Sequence, residues 1–295
     1  MLKAVCFGEI LWDKFKDQKR AGGAPMNVAL HLHKQGIKCG LISSVGNDDL
    51  GKELIGVMSA QGFPTDLIQI HESLSTGVVE VKLDESQQAT YTIVKPVAWD
   101  AIHLTEEGKK VVSEAEVFVY GSLACRNTKS RSTLLDLLPL AKKRVLDLNL
   151  RAPHYENPVI KELIAPADML KINEDELTYL AEVYRITSPD MDGMVQQLSH
   201  ETDTPVICVT LGDKGAMVLY EGTIYRHPGF KVRVADTVGA GDSFLATFIN
   251  GLLSNLPVGK VLQNACAVGA FVASKQGANP DYTLNTIEGM DFYTS

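Results

Sequence analysis

The segment at positions 236–244, DTVGAGDSF, has residue types suited to phosphate chemistry. Its small residues Gly239, Ala240 and Gly241 leave backbone N–H groups unshielded where a helical pattern begins, and such groups bind anions. A carboxylate in the same place would repel a bound phosphate. Asp242 therefore fits a base that takes the proton from a hydroxyl attacking that phosphate. The alternative is that Asp242 only caps the helix.

A second segment, AGGAPMN at positions 21–27, has residue types suited to a polyol. Gly22 and Gly23 permit a ligand to approach the backbone closely, and the Asn27 amide is both donor and acceptor. Asp13 follows the first predicted strand, at the sheet edge where ligands bind in open α/β folds. Isolated turns are the alternative explanation for each residue taken singly.

Further polar groups follow three later predicted strands. Arg151 ends the run DLNLR, and Asn173 with Glu176 ends LKINEDE. The carboxylates at 174–176 could organise Mg²⁺ through water, or could form the acidic first turn of a helix. The turn Thr210-Leu211-Gly212-Asp213-Lys214-Gly215 has glycines that could pass beneath a nucleotide.

Elements that would position these groups alternate along the chain. Strands are predicted at 4–10, 40–45, 117–120, 144–148, 169–172 and 206–211, with helices at 27–35, 50–61, 243–253 and 258–275. Such alternation is typical of a mainly parallel sheet with helices on both faces. Two strand-like runs, 76–83 and 88–94, are joined by a polar turn at 84–87. This hairpin is a candidate lid, or a mere decoration of the domain.

Composition excludes several classes of protein. The chain has 295 residues, with 28 Lys and Arg against 36 Asp and Glu, a formal charge of −8. An acidic chain without a basic run is not expected to bind nucleic acid or an anionic membrane. The five cysteines are scattered and odd in number, which argues against a disulfide framework. Without a secretory signal pattern, the chain is expected to be cytoplasmic.

Two motifs are rejected as sites. Positions 46–53, GNDDLGKE, nearly spell a phosphate-binding loop, but Glu53 replaces the hydroxyl that should ligate Mg²⁺, and two aspartates lie inside the loop. His31 and His33 are two apart on a predicted helix, so they point to different faces and cannot share a metal ion.

The ordered set of motifs resembles the ribokinase-like (phosphofructokinase-B-type) carbohydrate kinases over essentially the whole chain. The resemblance is carried by the signatures at 22–51 and 236–244, the N-x-x-E motif at 173–176 and the loop at 210–215. The phrases GEILWD, GGAPMNVA, AWD and DLNLR are similar to the fructokinase branch. The resemblance implies one kinase domain over 1–295, a three-layer α/β/α sandwich with a mainly parallel central sheet of about eight or nine strands. It also implies a small β lid at about 76–94, with parts of 11–24 contributing.

The resemblance also implies residue roles. Asp242 would be the catalytic base beside an anion hole at Gly239, Ala240 and Gly241. Sugar contacts would come from Asp13, Gly22, Gly23, Asn27 and Arg151, with Tyr91 and Trp99 as covers. Mg²⁺ and ATP would be held by Asn173, Glu176, Thr210, Gly212 and Gly215. Many members bind a monovalent cation such as K⁺, here matching Asp236, Val238, Val272, Gly277 and Asp281, where Asp281 replaces a serine usual in ribokinases.

The expected activity is ATP-dependent phosphorylation of fructose at O6, by a homodimer that pairs through the lid. Three other acceptors remain open: ribose, a nucleoside and 2-keto-3-deoxygluconate. A catalytically silent sugar sensor with the same fold is the alternative from another functional class.

Overall fold

The computed structural model describes residues 1–83 and 89–288, and the side chains of all of these except 81–83, 89–91 and 288. The strands in chain order are β1 (Ala4–Phe7), β2 (Leu11–Lys14), β3 (Lys19–Gly22), β4 (Cys39–Gly46), β5 (Ile68–His71), β6 (Gly77–Leu83), β7 (Ala89–Ile93), β8 (Val117–Gly121), β9 (Arg144–Asp147), β10 (Met169–Asn173), β11 (Val206–Thr210), β12 (Ala216–Tyr220) and β13 (Thr223–His227).

The α-helices are α1 (Ala24–Lys34), α2 (Asp49–Ala60), α3 (Glu106–Glu114), α4 (Thr128–Leu137), α5 (Asn157–Ile164), α6 (Glu174–Val183), α7 (Met191–Thr202), α8 (Ala240–Leu253), α9 (Val258–Ala273) and α10 (Leu284–Glu288). In the described ranges, no helix is long and apolar enough to cross a membrane.

Within the described residues the central sheet has nine strands, in the order β13-β12-β11-β10-β9-β8-β1-β4-β5. Neighbouring strands from β11 to β5 are all parallel, and β12 with β13 adds an antiparallel hairpin at one edge. The mainly parallel sheet predicted from the sequence is confirmed. The edge hairpin and β5 were not predicted; β5 and β13 are short strands whose residues are only partly buried.

Helices cover both faces of this sheet, and the side chains of β1, which point alternately to the two faces, show this. Ala4 and Cys6 face a core shared with α1, α2, α8 and α9, whereas Val5 and Phe7 face a core shared with α3 to α7. Successive strand residues point to opposite faces, so β1 is apolar on both sides. The predicted three-layer α/β/α sandwich is confirmed.

A second sheet, here called the lid sheet, has the order β3-β2-β6-β7 among the described residues. Its strands β2 and β6 run parallel, and the two outer pairs are antiparallel. Leu11 and Val79 are buried together on one of its faces. Residues 11–22 thus join the predicted hairpin at 76–94 in one small sheet, and the predicted turn at 84–87 lies outside the described residues.

Asp48 attaches the lid sheet to the body of the protein. Its Oδ1 accepts hydrogen bonds from Gly51 N, as the cap of α2, and from Thr76 Oγ1, and its Oδ2 accepts one from Thr76 N. Thr76 immediately precedes β6. Together these hydrogen bonds hold the pKa of Asp48 below its ordinary value, although partial burial opposes them. The near-miss phosphate loop is therefore a helix cap at the base of the lid sheet.

Candidate active site

The polar segments singled out in the sequence meet at the carboxyl ends of the parallel strands. In the sheet register Asp147 at the end of β9 pairs with Lys171 of β10, and Asn173 pairs with Thr210 of β11. Parallel strands end at a common edge, where open α/β sheets bind ligands. The helices α1 and α8 pack against each other, and their N-termini carry the residues described next.

The glycine turn before α8 is shaped for close approach of backbone to backbone. Gly239 has φ +79°, the left-handed region that glycine adopts without strain, and a Cβ there would lie 2.6 Å from Ala278 Cα. Gly239 is also the cap of α8, which leaves Asp242 inside the first turn. The alternative that Asp242 is the helix cap is therefore wrong.

The Asp242 carboxylate is oriented by an amide from a distant part of the chain. Asn27 Nδ2 donates to Asp242 Oδ2 at 2.7 Å, and Asn27 Oδ1 accepts from Asn279 Nδ2 at 2.7 Å. Asn27 is buried in the first turn of α1. With one carboxylate oxygen bound to Asn27, Asp242 Oδ1 remains for a substrate proton.

Burial, reinforced by the negative charge of Asp147, raises the pKa of Asp242 from 3.8 to about 6. The Lys171 cation and the hydrogen bond from Asn27 oppose this rise. A base whose pKa lies near the working pH is ionised above pH 6 and accepts a proton more readily than an ordinary aspartate. The electrostatics of the site therefore suit the role predicted for Asp242.

Lys171 is a buried cation at the glycine turn that sequence reasoning missed. Its Nζ lies 3.0 Å from Asp147 Oδ1, and a Cβ on Gly241 would meet that same Nζ at 3.1 Å. Three carboxylates, those of Asp147, Glu176 and Asp242, overcome the effect of burial and keep its pKa above the ordinary value. The signal available in the sequence was a lysine inside an apolar strand. A lysine is almost never buried in a sheet unless its charge is paired, so this position indicated a buried ion pair.

Glu9 is a second buried group that was not singled out. It follows β1 and is 3% exposed, and its Oε2 accepts no hydrogen bond from the described residues. Burial raises the pKa of Glu9 to about 7; the Arg151 charge lowers it, and those of Asp242 and Asp147 raise it further. Glu9 and Asp147 line one small pocket.

The residues predicted to contact a sugar lie around Asp13. Asp13 is opposite Arg20 in the pairing of β2 with β3, and a Cβ on Gly22 would lie 2.7 Å from Asp13 Oδ2. Burial raises the pKa of Asp13 to about 6, and the charges of Arg151 and Arg20 oppose the rise. Gly23 caps α1 one turn before Asn27.

Arg151 is exposed, and its charge lowers the pKa of Glu9, Asp13 and Asp242 alike. Its positive charge, carried on the loop after β9, therefore acts on the same group of carboxylates.

The prediction that Trp99 covers a sugar is wrong for this structure. Trp99 is fully buried, and the Arg126 guanidinium lies over its ring at 4.0 Å. Arg126 in turn pairs with buried Asp100, at 2.7 and 2.8 Å, which fixes the guanidinium in place. An apolar ring beside a lid strand is here part of the core. Tyr91 lies in β7, but its side chain is outside the described part.

The residues predicted for ATP and Mg²⁺ lie at the ends of β10 and β11. Asn173 caps α6 by accepting from Glu176 N, while Glu176 Oε2 accepts from Asn173 N at 2.9 Å and its Oε1 from Leu150 N at 2.7 Å. Glu176 is buried, unlike its neighbours at 174 and 175, so the acidic first turn accounts for only two of the three carboxylates. Gly212 and Gly215 form the exposed turn after Thr210.

The five positions predicted for a monovalent cation, mostly through backbone carbonyls, include two aspartates whose side chains have partners in the structure. Asp236 Oδ2 accepts from Arg20 Nη1 at 2.8 Å and from Gly277 N at 3.2 Å. Val238 N donates to Asp236 Oδ1, the Val272 carbonyl accepts from Lys275 N, and Asp281 Oδ1 lies 3.6 Å from Lys34 Nζ. The two aspartate carboxylates among the five positions therefore already face protein cations, Arg20 and Lys34.

Comparison with known proteins agrees with this arrangement. The family model described as pfkB family carbohydrate kinase matches residues 3–284. The chain belongs to this family. Residues 3–284 include the glycine turn before α8 and the lid sheet, so the family match covers the whole candidate site of this pfkB family kinase.

Individual relatives are similar over most of their length. A Pyrococcus horikoshii protein described as a sugar kinase is 31% identical over 88% of this chain and 83% of its own. Fructokinase-2 of Solanum lycopersicum is 27% identical over 89% and 84%.

Two solved structures have the same fold. The P. horikoshii sugar kinase in complex with ATP superposes with a TM-score of 0.78 at 28% identity, covering 94% of each chain. A fructokinase from Xylella fastidiosa with bound ATP superposes at 0.84, covering 98% of each chain at 23% identity, which supports the fold alone.

Proposed function

We propose that this pfkB family kinase transfers the γ-phosphoryl group of ATP to the O6 hydroxyl of fructose, with Asp242 as general base. The observation that carries the proposal is the Asp242 carboxylate, held by Asn27 at 2.7 Å in the first turn of α8. An anion bound at this N-terminus and a hydroxyl beside Asp242 would be in line for transfer. ATP as donor is supported by the P. horikoshii relative, whose structure was solved in complex with ATP.

Each group has a distinct task in this reaction. Asp13 and Asn27 bind and orient the sugar, and Asp242 removes the proton of the attacking hydroxyl. The backbone N–H groups at Gly239, Ala240 and Gly241 stabilise charge on the transferring group, and Arg151 contributes from the other side. Because phosphoryl transfer has a loose transition state, positioning and electrostatics supply most of the acceleration.

Lys171 balances the negative charge of the site before substrates arrive. It pairs with Asp147 at 3.0 Å and so holds a fixed positive charge under the anion hole. A pre-organised cation in a water-excluded site stabilises developing negative charge without reorganisation. Closure of the lid sheet over the sugar would exclude water as a competing acceptor.

We propose that Mg²⁺ is held, through water, near the carboxylates at the ends of β9 and β10. Glu176 would hold the ion through water, and Asp147 Oδ2, an oxygen that has no hydrogen-bond partner among the described residues, lies in the same cluster. A bound Mg²⁺ supplies positive charge to the phosphates of ATP. The protein residues keep their own tasks: Glu176 also fixes the loop after β9 through Leu150 N.

The test is coupled release of ADP from ATP and Mg²⁺ with a panel of acceptors: fructose, ribose, tagatose, glucose, adenosine and 2-keto-3-deoxygluconate. Asp242→Asn is measured alongside, because it keeps the shape of the side chain and removes its basicity. The matched control is Asp66→Asn at an exposed position before β5. Phosphorus NMR of the product identifies the phosphorylated hydroxyl.

Fructose turnover that produces the 6-phosphate and disappears in Asp242→Asn supports the proposal. Turnover of another acceptor keeps the kinase and overturns the choice of fructose. Sugar binding without turnover of any acceptor favours the silent sensor.

We also propose that the protein is a homodimer paired through the lid sheet. Support comes from β3 and β7, which are the outer strands of the lid sheet among the described residues and whose outward backbone groups could pair with a second copy. Light scattering behind a sizing column gives the mass, and a monomer at micromolar concentration would refute the dimer.

We also propose that the protein is cytoplasmic, because its five cysteines are free and buried.

A further inference from the structure

One face of α1 holds the loop at 277–281 against the active site. Asn27, His31 and Lys34 lie about two turns apart at most on this helix, and each contacts the loop. His31 Nε2 is 2.9 Å from the Ala278 carbonyl, and His31 Nδ1 is 2.9 Å from the Tyr282 hydroxyl. A carbonyl can only accept, so Nε2 carries the proton and Nδ1 accepts from Tyr282.

Lys34 supplies the positive charge of this face. Its Nζ donates to the carbonyl oxygens of Asn279 at 2.7 Å and Pro280 at 3.0 Å, and Asp281 Oδ1 is 3.6 Å away. The Lys34 side chain is only 11% exposed. A nearly buried ammonium on two backbone carbonyls is unusual for a lysine, whose head group ordinarily extends into water.

The loop that Lys34 holds touches both parts of the phosphoryl-transfer site. Ala278 packs against Gly239 at the glycine turn, where a Cβ would not fit. The side chain of Asn279 donates to Asn27, which in turn donates to Asp242. Displacement of the loop would therefore move both the anion hole and the catalytic carboxylate.

Carbonyl oxygens in such a loop are also the ligands that a potassium ion takes. Here the ammonium of Lys34 occupies two of them, and the guanidinium of Arg20 occupies Asp236 in the adjoining turn. Of the predicted cation positions, the two aspartates, Asp236 and Asp281, already face a protein cation, Arg20 and Lys34 respectively, so their charge needs no free ion.

We propose that Lys34 is a built-in cation, a positioning residue that fixes the loop at 277–281 against Gly239 and Asn27, so that the protein works without potassium. This inference rests on the proposed function, because it takes the glycine turn and Asp242 as the phosphoryl-transfer site. It does not depend on which sugar is the acceptor. Lys34 does not touch the reacting atoms. It acts through Asn279 and Ala278.

The variant Lys34→Met removes the charge and shortens the side chain by one atom, the position of the ammonium, and Lys34→Arg keeps the charge. Lys38→Met, at an exposed lysine beyond the same helix, is the matched control. Each protein is measured in choline, sodium, potassium and methylammonium chloride at one ionic strength. The readouts are kcat, the KM of the sugar, and the midpoint of thermal unfolding without substrates.

We expect the wild type and Lys38→Met to have the same kcat and unfolding midpoint in all four salts. In choline, Lys34→Met should lose at least tenfold in kcat with little change in the KM of the sugar, and Lys34→Arg should lose less. Potassium or methylammonium should restore part of the lost kcat and raise the midpoint of Lys34→Met alone.

Three results would overturn the inference. A wild type that loses activity in choline has a true ion site, and a Lys34→Met variant with wild-type kcat shows that the charge is not needed. A loss that is equal in all four salts assigns Lys34 to ordinary structural packing. If no acceptor is turned over, the proposed function fails, while the salt dependence of the unfolding midpoint still tests the role of Lys34.

Discussion

Glu9 offers a test of the electrostatics of the site by stability alone. Burial raises the pKa of Glu9 from 4.5 to about 7, so the folded protein holds a proton that the unfolded chain releases at lower pH. Each tenfold change in acidity corresponds to about 1.4 kcal/mol. Ionised Glu9 therefore lowers the free energy of unfolding of the wild type by about 3 kcal/mol as the pH rises from 4 to 8.

Replacement of Glu9 by Gln removes this charge and keeps the shape of the side chain. A buried amide without a partner carries its own cost of about 1 to 3 kcal/mol, but that cost does not change with pH. The difference in unfolding free energy, variant minus wild type, should hence rise by about 2 to 3 kcal/mol between pH 5 and pH 8. Because the cost of burying the amide is the same at both pH values, it cancels when the two differences are compared.

Urea unfolding at pH 5 and pH 8, followed by circular dichroism, gives the two differences. Glu182→Gln in the exposed last turn of α6 is the control and should change by less than about 0.5 kcal/mol between the two pH values. If Glu9→Gln shows no greater change than this control, Glu9 is ionised in the folded protein at pH 5 and the reasoning is wrong. If the difference instead fell between pH 5 and pH 8, the effect of the Arg151 charge on the pKa of Glu9 would outweigh that of burial.

Four further results are expected. With Asp242 ionising near pH 6, kcat should rise through that pH and level off above 7; a flat profile from pH 5 to 8 contradicts the assigned base. Asp242→Asn should lower kcat by roughly a hundred- to ten-thousand-fold, and a loss below tenfold rejects its role. Asp13→Asn should raise the KM of the sugar and leave that of ATP within about twofold; equal loss of both indicates misfolding. Asp100→Asn leaves the buried Arg126 cation without its carboxylate and should lower the free energy of unfolding by about 3 to 5 kcal/mol in urea, whereas a change near zero would show that water solvates Arg126.

Local patterns in the sequence were sufficient for the alternation of elements and for the glycine turns. Buried strands such as β1 and β8 are continuous apolar runs, and α8 begins where the glycine turn ends, so both can be recognised within about ten residues. Asp242 and Asn27 could likewise be identified as candidate site residues from the few residues around each of them. Their types and local settings indicated chemistry before any contact was known.

Contacts between distant parts of the chain were decided only by tertiary structure. Asn27 and Asp242 are 215 residues apart, and their hydrogen bond exists because α1 and α8 pack side by side. Lys171 pairs with Asp147 because β9 and β10 are neighbours in register, and Trp99 is core because Gly77 leaves room for its ring. Hydrophobic period and turn chemistry act over a few residues, whereas burial and charge pairing depend on which elements become neighbours. The sequence by itself therefore determined the parts of the site, and the order of strands in the sheet decided which buried charges they share.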